Sequence, residues 1–141
     1  MVALNGVAVG RGSWRSDSVE PGAYVVTAQV TSISGCAADR QVTRVVMPAR
    51  AVTSRVTLSP KGCGRFMLNA QPARGHYALL PIGVRGAAEL RGQLSDKAVT
   101  LVVPAGDYRL TVSAPYCADF RGDVTIERGK ERSERVRLIC Q

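Results

Sequence analysis

The chain has 141 residues, 19 basic and 11 acidic side chains, a formal charge of +8, one histidine and four cysteines. That length allows one ordinary domain or two small ones, and a single histidine with no close cysteine pair argues against the common zinc patterns and against His-based triads. No apolar run is long enough for a membrane helix, and the charge has no polybasic tail: residues 1–70 carry eight bases and three acids (+5), residues 71–141 eleven and eight (+3).

In chain order, Val2 to Val9 reads as an opening strand. Trp14 follows, flanked by Arg11 and Arg15. After Pro21-Gly22, the run Tyr24 to Val30 is rich in β-branched residues. Val42 to Met47 and Val52 to Leu58 read as two further strands separated by Pro48-Ala-Arg50. Gly64 to Asn69 finishes this unit or bridges to the next, and Gln71-Pro-Ala-Arg-Gly75 has the composition of a linker or turn.

His76 to Val84 opens a second series, with Pro81 in a strand-like run that predicts an edge or a bulge. Gly86 to Leu94 is the best helical candidate, yet it is short and broken by Gly92, so it reads as strand or loop. Strands are predicted over Val99–Val103, Tyr108–Val112, Gly122–Glu127 and Ser133–Ile139. In the last, Val136 and Leu138 point one way and Arg135, Arg137 and Ile139 the other. Gly129 suits a left-handed turn position between the final two strands.

The two series echo each other. Val19-Glu-Pro-Gly-Ala-Tyr24 is matched by Val103-Pro-Ala-Gly-Asp-Tyr108, and each leads through a β-rich run to a cysteine, Cys36 or Cys117. Arg55-Val-Thr-Leu58 is matched by Arg135-Val-Arg-Leu138, each followed by a second cysteine, Cys63 or Cys140. The offsets drift from 84 (24 to 108) through 81 (36 to 117) and 80 (58 to 138) to 77 (63 to 140), as changing loop lengths would cause. The expected fold is therefore all-β: two tandem small β-sandwich units of Ig-like or transthyretin-like type, residues 1–68 and 72–141, with a linker at about 69–75. Pairing Cys36 with Cys63 and Cys117 with Cys140 would give each unit one disulfide, although four cysteines allow three connectivities and the other two stay open at this point.

The stretch from Val103 to Lys130 resembles PEGA-type domains and the wider carboxypeptidase-regulatory-like, transthyretin-like sandwiches. It shares their Ala-Gly turn, the tyrosine after it, a strand, a small-residue turn with an aromatic, and two further strands. The resemblance implies an extracytoplasmic spacer or surface-interaction module, with Tyr116 and Phe120 packed beneath the following hairpin. The first half shares Pro21-Gly-Ala-Tyr24 but lacks an aromatic in Ser32-Ile-Ser-Gly-Cys36.

Catalytic chemistry finds little support. His76 is the sole candidate base, the carboxylates Asp119 with Asp123 and Asp39 with Asp17 sit beside arginines in turn-like settings, and no phosphate-cradling glycine motif occurs. No enzyme and no cofactor is implied. Disulfides imply an oxidising compartment, so the chain reads as the mature part of an exported protein, located in the periplasm, at the cell surface or outside the cell. A virion or other extracellular assembly is the alternative. The expected function is a non-enzymatic structural or interaction module, a cell-surface, envelope or filament component acting through strand edges and loops. The rival expectation is a binding protein for an acidic ligand, a glycan or an envelope phosphate, through Trp14, Arg128, Arg132, Arg135 and Arg137. With only seven aromatics, nucleic acid is disfavoured as the ligand.

Overall fold

The computed structural model describes all 141 residues. Eleven strands and one 3-10 turn make up the ordered elements, in three sheets with no α-helix. The chain divides into two compact units, one formed by Met1–Thr31 with Ala37–Gly62, the other by Ser32–Cys36 with Cys63–Gln141.

The first unit holds β1 (Val2–Leu4), β2 (Val7–Gly10), β3 (Gly22–Gln29) and β4 (Arg40–Met47). They form one antiparallel sheet in the order β2-β1-β3-β4. The expected single strand from Val2 to Val9 is in fact a hairpin. Asn5 (φ 49°) and Gly6 (φ 83°) both adopt positive φ, as a two-residue type I′ turn requires. Asn5 also ties the hairpin to β3, its Oδ1 accepting from the Val25 amide at 2.8 Å.

The second unit has seven strands: β5 (Cys63–Gln71), β6 (His76–Pro81), β7 (Leu90–Gln93), β8 (Val99–Pro104), β9 (Gly106–Ser113), β10 (Phe120–Ile126) and β11 (Glu131–Arg137). One sheet runs β10-β9-β6-β7 and the other β11-β5-β8, with β11 parallel to β5. Their inward positions interleave into one core. Tyr77, Leu79, Tyr108, Leu110, Val112, Val124 and Ile126 come from the first of these sheets. Phe66, Leu68, Val103, Val136 and, just past β11, Leu138 face them from the second. Alternation places these side chains, since every second residue of a strand shares a face. Gly64 is fixed by close approach: a Cβ there would overlap the Glu127 carbonyl oxygen and the Ile126 side chain.

Several expectations change at this level. The boundary falls after Gly62, and residues 69–71 of the expected linker are the end of β5. Val52 to Leu58 forms no strand, for it has no neighbour to pair with. Strand β6 is interior, and its Pro81 lies beyond the reach of β7, whose pairing stops at Leu79, so the missing amide costs that ladder nothing. Phe120 packs against the core, but Tyr116 is 86% exposed. Its left-handed backbone (φ 62°) turns the side chain outward while its carbonyl accepts from the Gln141 amide at 2.9 Å.

The disulfides are Cys36–Cys63 and Cys117–Cys140. Cys117 and Cys140 face each other across an isolated antiparallel bridge. All four cysteines lie in segments grouped with the second unit.

Candidate functional site

The residues expected to contact an acidic ligand do not form one cluster. Trp14 belongs to the first unit and the four arginines to the second. Trp14 packs over Gly10, where an added methyl would lie 3.4 Å from Trp14 Cβ and 3.5 Å from Cδ1, so the side chain covers a glycine in an edge strand. Arg128 sits in the turn between β10 and β11. Arg132 is bound to Glu134, two residues on along the same face, at 2.6 Å.

Arg135 and Arg137 remain together on the outer face of β11, about 7 Å apart along the strand, opposite Asn69 and Gln71 of β5. No carboxylate lies within ion-pair distance of either, whereas Arg65 on the same face is paired with Glu131 at 3.8 Å. The pair is therefore a small basic patch flanked by two amides.

The lone histidine lines an open groove of about 470 Å³ on the outer face of β6, β7 and β9, with Tyr77, Arg91, Thr111 and Ser113. Arg91 is held by Glu89. Besides that ion pair the groove offers His76 only hydroxyls and the Gln93 amide, and no group of three or more His, Cys, Asp or Glu side chains gathers anywhere in the chain. The sequence reading missed this groove because its residues come from three separate strands that only the sheet order brings side by side.

The sheet edges are the larger open features. Strand β4 is eight residues long and hydrogen-bonded to β3 along one side only. Val42 (49% exposed) and Val46 (67%) alternate with Arg40 and Arg44 on one of its faces. Charged residues on an edge strand limit promiscuous pairing, while exposed valines favour a matched partner. One side-chain contact touches this strand from beyond it: the Ser59 amide donates to Gln41 Oε1 at 2.5 Å.

The fold and these surfaces define a disulfide-bonded all-β protein in which the second unit packs two sheets into a small sandwich. No family model, no curated protein and no solved structure matches the chain. No helix is long and apolar enough to cross a membrane.

Proposed function

We propose that this protein is a non-enzymatic extracytoplasmic module, a cell-surface, envelope or filament component that works through strand edges and loops. The observation that carries this reading is β4, a full-length edge strand with one free side and two exposed valines. Backbone groups on such an edge pair readily with a strand from a partner. Two disulfides support an oxidising location. Kinship with PEGA-type or transthyretin-like modules belongs to the same proposal, and the paired tyrosine turns described below support it. Light scattering across a dilution series tests the reading. Assembly that persists at low concentration and at high salt is the expected result, and a strict monomer under all conditions speaks against it.

A second reading has one specific observation in its favour, the unpaired Arg135 and Arg137 beside Asn69 and Gln71. Two adjacent guanidinium groups suit a phosphate or sulfate group of a glycan or lipid. Binding through them should collapse as salt rises, which distinguishes it from edge pairing.

A further inference from the structure

Strand register lays out the outer face of the sheet β10-β9-β6-β7 as a grid. Residues that oppose each other across a strand pair share a face, and so does every second residue along a strand. One row crosses three strands as Gln93, His76 and Ser113, for His76 opposes both of the others. The next row crosses four. Ala78 opposes Arg91 on one side and Thr111 on the other, and Thr111 opposes Arg121. The two rows are about 7 Å apart along the strands.

Their chemistry differs. The first row sets an amide, an imidazole and a hydroxyl side by side. The second has a floor of two small, half-buried residues, Ala78 and Thr111, between two arginines. Arg91 and Arg121 stand three strand spacings apart, about 14 Å. The groove of about 470 Å³ lies over these rows, and a second cavity of about 530 Å³ continues it, with His76, Gln93 and Ser113 lining both. Arg74 stands in this second part.

Charge along this trough is one-sided. Glu89 is the only acid lining either cavity, and it is bound to Arg91 Nε. That bond fixes the arginine and leaves its two terminal nitrogens without a protein partner. Arg74 and Arg121 have no carboxylate within ion-pair distance. Asp123, the next outward residue of β10, is taken by Arg109.

A ligand that satisfies both rows needs hydroxyl groups for one and acid groups for the other. A bare phosphate or sulfate ion would engage the arginines and leave Gln93, His76 and Ser113 idle. A nucleic-acid strand wants aromatic rings for its bases, and no strand residue on this face is aromatic: Tyr77 is buried and Phe120 packs on the core. A uronic or sulfated sugar carries both kinds of group. We infer that this face binds an acidic glycan. A sugar ring sits over Ala78 and Thr111, its hydroxyls meet Gln93, His76 and Ser113, and carboxylates or sulfates are held by Arg91, Arg121 and Arg74, whose guanidinium forks suit such groups. The site lies on the opposite sheet from Arg135 and Arg137. It goes beyond edge pairing through β4 and does not depend on it.

The test is titration of the full chain, at one fixed salt concentration, with an oligogalacturonate, a heparin-type sulfated oligosaccharide and single-stranded DNA of matching charge. Amide NMR shifts should move at His76–Ala78, Arg91–Gln93 and Thr111–Ser113 with at least one of the two glycans, and which one responds assigns the acid group. Arg74→Gln with Arg121→Gln alters two exposed side chains, so the fold should persist while affinity falls by about tenfold or more. Gln93→Leu keeps every charge and should weaken binding by about fivefold. Arg135→Gln with Arg137→Gln removes the same charge elsewhere and should change nothing. Silence with both glycans overturns the inference, as does DNA binding of equal strength. Equal weakening by the two double variants, or none by Gln93→Leu, also overturns it by reducing the interaction to net charge. Assembly that persists in any of these cases leaves the edge-pairing reading standing.

Discussion

Tyr24 and Tyr108 make the same hydrogen bond in the two units: each phenol donates to the carbonyl oxygen four residues upstream, Glu20 or Pro104, and each distance is 2.6 Å. In both, a glycine two residues before the tyrosine has a positive φ, 146° at Gly22 and 151° at Gly106. The glycine lets the chain reverse tightly enough for the ring to fold back over the turn. Removing the hydroxyl leaves a carbonyl without its partner. Tyr108→Phe, in the buried copy, should destabilise the second unit by about 1–1.5 kcal/mol, and Tyr24→Phe the first by roughly 0.5 kcal/mol. Denaturant unfolding followed residue by residue through amide exchange would separate the two.

Burial also raises the Tyr108 phenol above its ordinary value of 10.0. The folded state holds this proton more tightly than the unfolded chain does. Its stabilising share is therefore complete below the unfolded value and falls as pH rises from there through the folded value. The second unit should lose stability on the alkaline side of pH 10, more steeply than Tyr108→Phe does. Unfolding midpoints collected from neutral to alkaline pH would show the two curves diverging only in that window.

Much of this architecture is written locally. Tyr108 to Val112 and Ser133 to Ile139 alternate clearly, and the turn at Gly129 is signalled by its glycine, which has φ 73°. The cysteine pairing that the repeat favoured is the one the structure forms. The hairpin at Asn5-Gly6 was equally legible, since that dipeptide between apolar runs is a strong type I′ signal, yet the run around it reads as one strand if periodicity alone is used. Other features depend on partners that no local window contains. Val52 to Leu58 has a strand's alternation and forms none, because a strand needs a neighbour. The parallel pairing of β11 with β5 joins residues about 65 positions apart, such as Val136 with Ala70. Charge is similar. Arg132 and Arg135 look alike in sequence, but strand parity sets Glu134 beside the first and Asn69 beside the second.

Gly64 tests how closely the turn after β10 approaches β5. The atoms that a new Cβ would meet include the carbonyl oxygens of Glu127 and Lys130, which are backbone and cannot swing aside. Two hydrogen bonds hold this turn against β5, from the Gly129 amide to the Cys63 carbonyl and from the Arg65 amide to the Lys130 carbonyl, at 2.8 and 2.9 Å. Gly64→Ala should cost about 2–3 kcal/mol through overpacking, with exchange protection lost first at Arg65 and Gly129.

The Cys117–Cys140 bridge spans 23 residues. In the chain-entropy account a closed loop of that size stabilises by about 3 kcal/mol. The double substitution Cys117→Ser with Cys140→Ser should lower the stability of the second unit by about that amount. The ladder between β3 and β4 should be unchanged, since neither cysteine belongs to that unit. Equal loss of protection in both units would contradict their division into separate compact bodies.

Leu4 and Leu79 give the sharpest comparison, because the same residue type holds the same place in both sheets. Each opposes the middle of the long strand beside it, Val26 for Leu4 and Leu110 for Leu79. Leu79 is 0% exposed within a closed core, and Leu79→Ala should cost about 3–4 kcal/mol through lost burial and the cavity left behind. Leu4 has one layer over it fewer, and Leu4→Ala should cost only about 1 kcal/mol, as expected for a half-buried side chain. Amide exchange of both variants reads the two values. Similar costs at Leu4 and Leu79 would show that the first unit already has a closed core of its own.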